Sequence, residues 1–165
     1  MSEALDLGDL DRFTVGTEGP TGRRVFLLQC AAGATQLTLK VEKQQVSVLA
    51  EYLGRLLADL DRPGELPVDL DLREPTEPHW VVGTLGVSYD EATDRIVLVA
   101  EELVAEDEEG DVARFTVTRE QAAAFAVRAT LLVEAGRPPC PLCGLPLDPT
   151  GHQCPRTNGH RPPAS

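Results

Sequence analysis

The sequence predicts an α+β fold, in which a mainly antiparallel sheet is packed by two helices. Two observations predict it: apolar segments recur in the same order in both halves, and each half ends on helical spacing. The chain has 165 residues, of which 42% are hydrophobic, enough for one compact domain with a small appendage. We expect residues 1–136 to form the domain and residues 137–165 to form the appendage.

Three short segments recur in the two halves of the domain. The pairs are Phe13–Thr17 with Trp80–Thr84, Arg24–Leu28 with Arg95–Val99, and Lys43–Val46 with Arg119–Ala122. The offset between the pairs grows along the chain, as expected if loops lengthened in the second copy. The sequence therefore predicts a duplication, with copies at about residues 12–60 and 80–135 and a connector at 61–79.

Each copy is predicted to hold three strands followed by a helix. In the first copy the strands cover residues 12–17, 24–30 and 35–41, and the helix covers 44–60. In the second copy the strands cover 80–88, 95–104 and 111–117, and the helix runs to about Glu134. Thr118 and Gln121 form a capping-box pattern at the start of this second helix.

The connector is rich in proline and holds one alternating segment, Val68–Leu72. Alternation of apolar and polar side chains is typical of a half-buried strand, so we expect an added edge strand here. A disordered linker is the alternative, but it would leave three apolar side chains in water.

The strongest chemical signal lies in the appendage, which we call the tail. Cys140 and Cys143 form a Cys-x-x-Cys knuckle, and Cys154 adds a third thiol. The fourth ligand is His152 or His160, and we favour His152 because its surroundings resemble a second knuckle. Either choice gives the three-cysteine, one-histidine set typical of structural Zn²⁺, whose binding would order a segment too short for its own core. The sequence therefore predicts a zinc ribbon.

Other interpretations of the cysteines are less favoured. A redox pair normally opens a helix, which Pro139 and Pro146 oppose. A disulfide is disfavoured in the cytoplasm, where we place the protein because its N-terminus lacks signal-peptide features and no apolar run could cross a bilayer. Cys30 ends an apolar strand with no histidine nearby, so we expect a buried thiol rather than a nucleophile.

Several of these motifs together resemble the actinobacterial domain-of-unknown-function family numbered 3090. The segments that carry the resemblance are Arg12–Thr17, Phe26–Gln29, Val41–Val46, Cys140–Gly144 and His152–Arg156. The resemblance spans nearly the whole chain. It implies a cytoplasmic actinobacterial protein with the tail as an integral part, and it implies no activity and no catalytic residues.

Charge and motifs limit the possible functions. A net charge of −12 disfavours broad binding to nucleic acid, although Arg156 and Arg161 leave a contact through the tail as an alternative. The sequence contains no glycine-rich phosphate loop and no nucleophile-elbow motif. His79 precedes a strand, where a loop-capping role is the more common one.

One polar cluster, Lys43, Gln44 and Gln45, lies where a strand turns into a helix. Backbone N–H groups and Lys43 could bind an anion there, and the alternative is a helix cap with Glu42 as the N-terminal acid. An enzyme acting on an anionic metabolite near Lys43 is the least favoured hypothesis. We expect a non-enzymatic, zinc-containing binding or adaptor protein whose partner is another protein and not a membrane, and the sequence leaves the oligomeric state open.

Overall fold

The structure, a computed structural model, describes residues 3–20 and 22–135, which form one seven-stranded sheet with two helices. The strands are β1 (Ala4–Asp9), β2 (Arg12–Glu18), β3 (Val25–Ala32), β4 (Thr35–Val41), β5 (Trp80–Asp90), β6 (Arg95–Glu102) and β7 (Val112–Val117). The helices are α1 (Lys43–Ala58) and α2 (Arg119–Ala135). The predicted α+β class is confirmed, and the predicted zinc ribbon lies outside the described residues.

The order of strands in the sheet is β1-β7-β6-β5-β4-β3-β2. Four neighbouring pairs are antiparallel, and β1–β7 and β4–β5 are parallel. The expected mainly antiparallel sheet is therefore confirmed. Among the described residues no helix is long and apolar enough to cross a membrane.

Strands β1 and β2 lie at opposite ends of the sheet, although only Leu10 and Asp11 separate them. The backbone N–H of Leu10 donates to the Thr116 carbonyl of β7 at 3.0 Å, and that of Asp11 donates to the Ala31 carbonyl of β3 at 2.8 Å. Because consecutive residues bond to the two ends of the sheet, the sheet must curve until its ends approach each other. Strand β1 was not among the strands predicted from the sequence.

The two copies have the same order of elements, β2-β3-β4-α1 and β5-β6-β7-α2. Their pairing is similar but not identical. Strand β5 of the second copy pairs in parallel with β4 through Trp80 and Val81. On the other side, β7 pairs in parallel with β1, a separate strand that precedes the first copy. An ancestral duplication stays a prediction.

The core lies between the helices and one face of the sheet, and Phe13 of β2 is at its centre. The ring of Phe13 stacks on Phe125 of α2 with centroids 4.2 Å apart, and contacts Phe115 of β7 at 5.5 Å. Cys30 is fully buried in this core, and burial raises the pKa of its thiol. The prediction of a buried, unreactive Cys30 thiol agrees with this environment.

The connector does not form the expected edge strand, since residues 59–79 contain no strand. It instead crosses the face of β2, β3 and β4 that lies opposite the core. The Arg12 guanidinium donates to the carbonyls of Asp69 and Asp71, and the Thr14 hydroxyl donates to the Leu70 carbonyl at 2.5 Å. The alternation corresponds to a partly buried side only at Leu70 and Leu72, since Val68 is 93% exposed, and the connector lies on a sheet face instead of a sheet edge.

Candidate functional site

Two recesses flank the first turn of α1. The first, which we call the groove, has a volume of about 540 Å³ and lies between α1 and β5. The second, which we call the basic recess, has a volume of about 320 Å³ and lies between the start of α1, the start of β3 and the end of α2. Glu42, the residue before α1, lines both.

The lining of the groove is mainly apolar. Helix α1 contributes Val48, Leu49 and Tyr52, and strand β5 contributes Leu85 and Val87. Val48 and Tyr52 are 53% and 45% exposed, so the groove leaves large apolar side chains in contact with water. Neighbouring exposed apolar side chains of this kind often mark a binding surface.

The groove runs beside an open edge of β5. This strand pairs with β6 from Val82 to Asp90, but it pairs with β4 only at Trp80 and Val81. Within residues 3–20 and 22–135, no strand pairs with the remainder of this edge. In a strand, every second residue directs its N–H and C=O toward the same side, so the edge offers hydrogen-bonding groups to an added strand.

Gln45 closes one end of this edge. Its amide nitrogen donates to the carbonyls of Val82 and Gly83, both at 3.2 Å, and its Oε1 accepts from the N–H of Glu42 at 2.8 Å. Gln121 occupies the equivalent place in α2, where Oε1 accepts from the N–H of Thr118 at 2.9 Å. The predicted capping box at Thr118 is confirmed, and Gln45 has the same capping role in α1.

Helix α2 covers the corresponding edge of β2. Phe125 stacks on Phe13, and the Arg128 Nε donates to the Val15 carbonyl at 2.5 Å. The repeat that matches Lys43 with Arg119 places Leu49 and Tyr52 of α1 at the positions of Phe125 and Arg128. Leucine is smaller than phenylalanine, and Tyr52 bonds no β5 carbonyl in the described residues. The groove is therefore the space that α2 fills in the other copy.

The basic recess is lined by three cations, Arg24, Lys40 and Lys43, which include both lysines of the chain. Its remaining lining residues are Gly22, Val25, Phe26, Val41, Glu42 and Leu132. Six arginines elsewhere form ion pairs. These three cations have no ion-pair partner in the part of the chain that the structure describes, as is also true of Arg23, Arg55 and Arg62 outside the recess.

The structure divides the predicted anion cluster between the two recesses. Lys43 lines the basic recess, and Gln44 and Gln45 line the groove. Arg24 and Lys40 also line the basic recess, but they were not among the predicted site residues. Strands β3 and β4 form a hairpin in which Phe26 pairs with Val41, and this places Arg24 and Lys43 just beyond paired ends. The signal that could have found them was the short connection between the predicted strands 24–30 and 35–41, which favours an antiparallel hairpin.

The other site residues predicted from the sequence do not line either recess in the described part of the chain. The Nδ1 of His79 lies 3.2 Å from the backbone nitrogen of Thr38, where it accepts a hydrogen bond from β4, consistent with the loop-capping role. In residues 3–20 and 22–135, no group of three His, Cys, Asp or Glu side chains could hold a metal ion. The predicted ligands Cys140, Cys143, His152, Cys154 and His160 lie outside those residues, as do Arg156 and Arg161.

The acid–base groups with shifted pKa values lie outside both recesses. The Tyr89 hydroxyl donates to Asp94 Oδ1 at 2.7 Å, and this hydrogen bond lowers the pKa of Asp94 and raises the pKa of Tyr89. Arg119 at the start of α2 donates to Asp94 Oδ2 at 3.2 Å. These bonds fasten the β5–β6 hairpin to α2, which is a structural role.

The model of a family described as "Protein of unknown function (DUF3090)" matches residues 6–154. No curated protein and no solved structure matches the chain. The matched range ends at Cys154, so it includes Cys140, Cys143 and His152 but not His160.

Proposed function

The chain belongs to the DUF3090 family of proteins of unknown function, and we propose that it is a non-enzymatic binding protein that receives an extended segment of a partner protein. The observation that carries the proposal is the open edge of β5 beside the apolar groove. A segment added there would gain backbone hydrogen bonds from β5 and apolar contacts from α1. This is the β-augmentation mode of peptide recognition.

The composition of β5 supports this proposal. Natural sheets protect an open edge with charged residues, proline or bulges that prevent pairing with another chain. From Val81 to Tyr89 the strand contains no charged residue and no proline, although 25% of the chain is charged. Its register shift against β6 lies between Val82 and Thr84, at the end of the edge that Gln45 closes. Such an edge favours the addition of a further strand, and in this protein we assign that place to a partner.

The groove also defines the chemistry of the segment that fits it. Alternate residues of an added strand would face Val48, Tyr52 and Leu85, so these residues should be apolar. Glu42 is the charged side chain in the lining, and the chain as a whole carries a charge of −12. A basic residue at the end of the segment nearest Glu42 would complement that charge.

Two exposed valines provide a matched test. Val48, in the groove, is 53% exposed, and Val127, on the outer face of α2, is 56% exposed. Peptides are selected from a random library on the wild-type protein, and their dissociation constants are compared for V48E and V127E. We expect the selected peptides to alternate apolar and polar residues and to carry a basic residue at one end. Relative to wild type, V48E should bind them at least tenfold more weakly, and V127E should bind them with an unchanged dissociation constant. Equal binding by the two variants would reject the groove as the site.

A second measurement locates the bound segment. Hydrogen exchange of the β5 amides between Thr84 and Asp90 should slow when a selected peptide is added, because backbone hydrogen bonds protect amides. Protection elsewhere, with no change in β5, would show that the peptide does not add to this strand.

For the tail we propose one structural Zn²⁺ on Cys140, Cys143, His152 and Cys154, which makes the tail a rigid contact surface. Support comes from the donor set, which suits structural zinc, and from the family match, which reaches Cys154 and stops before His160. Elemental analysis should give about one zinc per chain, lost in H152A and retained in H160A. Zinc-free protein, or the opposite response of the two variants, would reject this ligand set.

A further inference from the structure

We propose that the basic recess is a binding site for the phosphate group of a small phosphate monoester. The site is separate from the groove, and the proposal does not depend on peptide binding. Its cationic groups are the Arg24 guanidinium and the ammonium groups of Lys40 and Lys43.

The placement of the lysines is the first argument. The chain has 15 basic residues but only these two lysines, and both line one recess of about 320 Å³. A lysine ammonium is a compact charge with three rotatable donors, and it commonly binds phosphate. Arginine adds a planar group that can bind two phosphate oxygens at once.

The second argument is that none of these three cations forms an ion pair with a described residue. Arg12, Arg73, Arg95, Arg114, Arg119 and Arg128 each lie within 4.0 Å of an aspartate oxygen. Arg24, Lys40 and Lys43 have no such partner among the described residues. Arg23, Arg55 and Arg62 also have none there, but they do not line the recess, whereas the first three lie together in it. Three like charges gathered in one recess repel each other, and a bound anion would relieve that repulsion.

The charge balance of the lining selects the class of anion. Three cations and the carboxylate of Glu42 give the lining a net charge of about +2. A phosphate monoester carries a charge of about −2 above its second pKa near 6, whereas a simple carboxylate carries −1. The recess therefore matches a dianionic phosphate better than a carboxylate.

The remaining lining indicates what is attached to the phosphate. Val25 and Leu132, which are half-buried, give the recess an apolar wall, and Phe26 and Val41 are buried behind it. Inorganic phosphate would leave this wall uncovered. An ester with a small apolar or aromatic group would cover it and bind more tightly.

The experiment compares three probes on the full chain by calorimetry at constant ionic strength and pH 7.5. The probes are phenyl phosphate, inorganic phosphate and phenylacetate. We expect saturable binding in that order of decreasing affinity. We also expect phenyl phosphate to bind several-fold more weakly at pH 5, where it is mostly a monoanion.

A matched pair of variants separates this site from general attraction to positive charge. K43A removes a cation of the recess, and R55A removes an exposed cation from the last turn of the same helix. We expect K43A to weaken phenyl phosphate binding at least tenfold and R55A to change it less than twofold. Equal effects of both variants, no saturable binding, or tighter binding of phenylacetate would overturn the proposal.

Discussion

Gln29 of β3 shows how one buried side chain fixes the path of the connector. It is 2% exposed and lies on the sheet face opposite the core, between its strand neighbours Thr14 and Thr38. Its amide donates to the Arg73 carbonyl at 2.7 Å and accepts from the Arg73 N–H at 2.9 Å. A side chain thus provides the two hydrogen bonds that a neighbouring strand would have provided.

Replacement of Gln29 should therefore destabilise the fold. Q29L keeps the approximate volume of the side chain. It removes the hydrogen bond from the Arg73 N–H and one of the two hydrogen bonds to the Arg73 carbonyl, which should lower the free energy of unfolding by about 1–3 kcal/mol. The control is Q36L, because the Gln36 amide bonds the same Arg73 carbonyl at 3.2 Å from a more exposed position. Urea unfolding should show a clearly larger loss for Q29L. Equal losses of unfolding free energy in Q29L and Q36L would mean that the buried hydrogen bonds of Gln29 stabilise the fold no more than the exposed bond of Gln36.

Asp94 provides a pH-dependent contribution to stability. Its hydrogen bond from Tyr89, together with Arg119, lowers its pKa in the folded protein. The folded state therefore favours the carboxylate form of Asp94. The resulting stabilisation is complete above the pKa of an aspartate in the unfolded chain, about 3.9. It is lost as the pH falls through the lower pKa of the folded state.

The variant D94N should show this dependence. Asparagine tolerates the positive φ of 51° at this position, so the substitution mainly removes the charge. At pH 7 we expect D94N to unfold at a lower urea concentration than wild type, and this difference should shrink as the pH approaches 3. The exposed residue Asp107 provides a control in D107N, which should match wild type at each pH. A difference for D94N that is independent of pH would contradict the role of the charge.

At the scale of elements, local patterns were sufficient for three strands and one helix in each copy. The predicted boundaries lie within two residues of the observed ones because apolar spacing, caps and turns are local signals. Strand β1 was missed because its two faces are largely exposed and its partner, β7, is more than a hundred residues away. Only the folded sheet shows that pairing.

The connector offers a prediction at this scale. A Cβ atom on Gly16 of β2 would lie 2.4 Å from the Leu72 Cγ, so G16A must displace that part of the connector. Such crowding typically costs about 1–3 kcal/mol. We expect trypsin to cleave G16A at Arg73 faster than wild type. Sodium dodecyl sulfate gel electrophoresis of timed samples measures the cleavage rate.

Two controls make this test specific. Gly86 of β5 has no atom within 4 Å of an added Cβ, so G86A should be cleaved like wild type. Shortening the connector side chain in the double variant G16A/L72A should remove the clash and recover part of the lost stability. If G16A and G86A behave alike, Leu72 does not hold the connector on β2.

At the scale of the whole molecule, the repeat order was predictable but the difference between the copies was not. Both helices begin with a glutamine cap, yet Phe125 and Arg128 bring α2 onto β2 whereas Leu49 and Tyr52 leave a groove at β5. The sequence contained these side chains. Their consequence depends on how two helices and a curved sheet share one core, which no local pattern specifies.

The four cysteines provide a test that covers the sheet domain and the tail together. Cys30 is fully buried and burial raises the pKa of its thiol, so it remains protonated and inaccessible in the folded protein. The proposed zinc ligands Cys140, Cys143 and Cys154 would also be protected, but only while metal is bound. We therefore expect almost no rapid thiol reaction in the native protein, three reactive thiols after addition of a strong chelator, and a fourth only in denaturant. An immediate reaction of three thiols in freshly purified protein would show that zinc does not hold the tail, while the protection of Cys30 would still report an intact core.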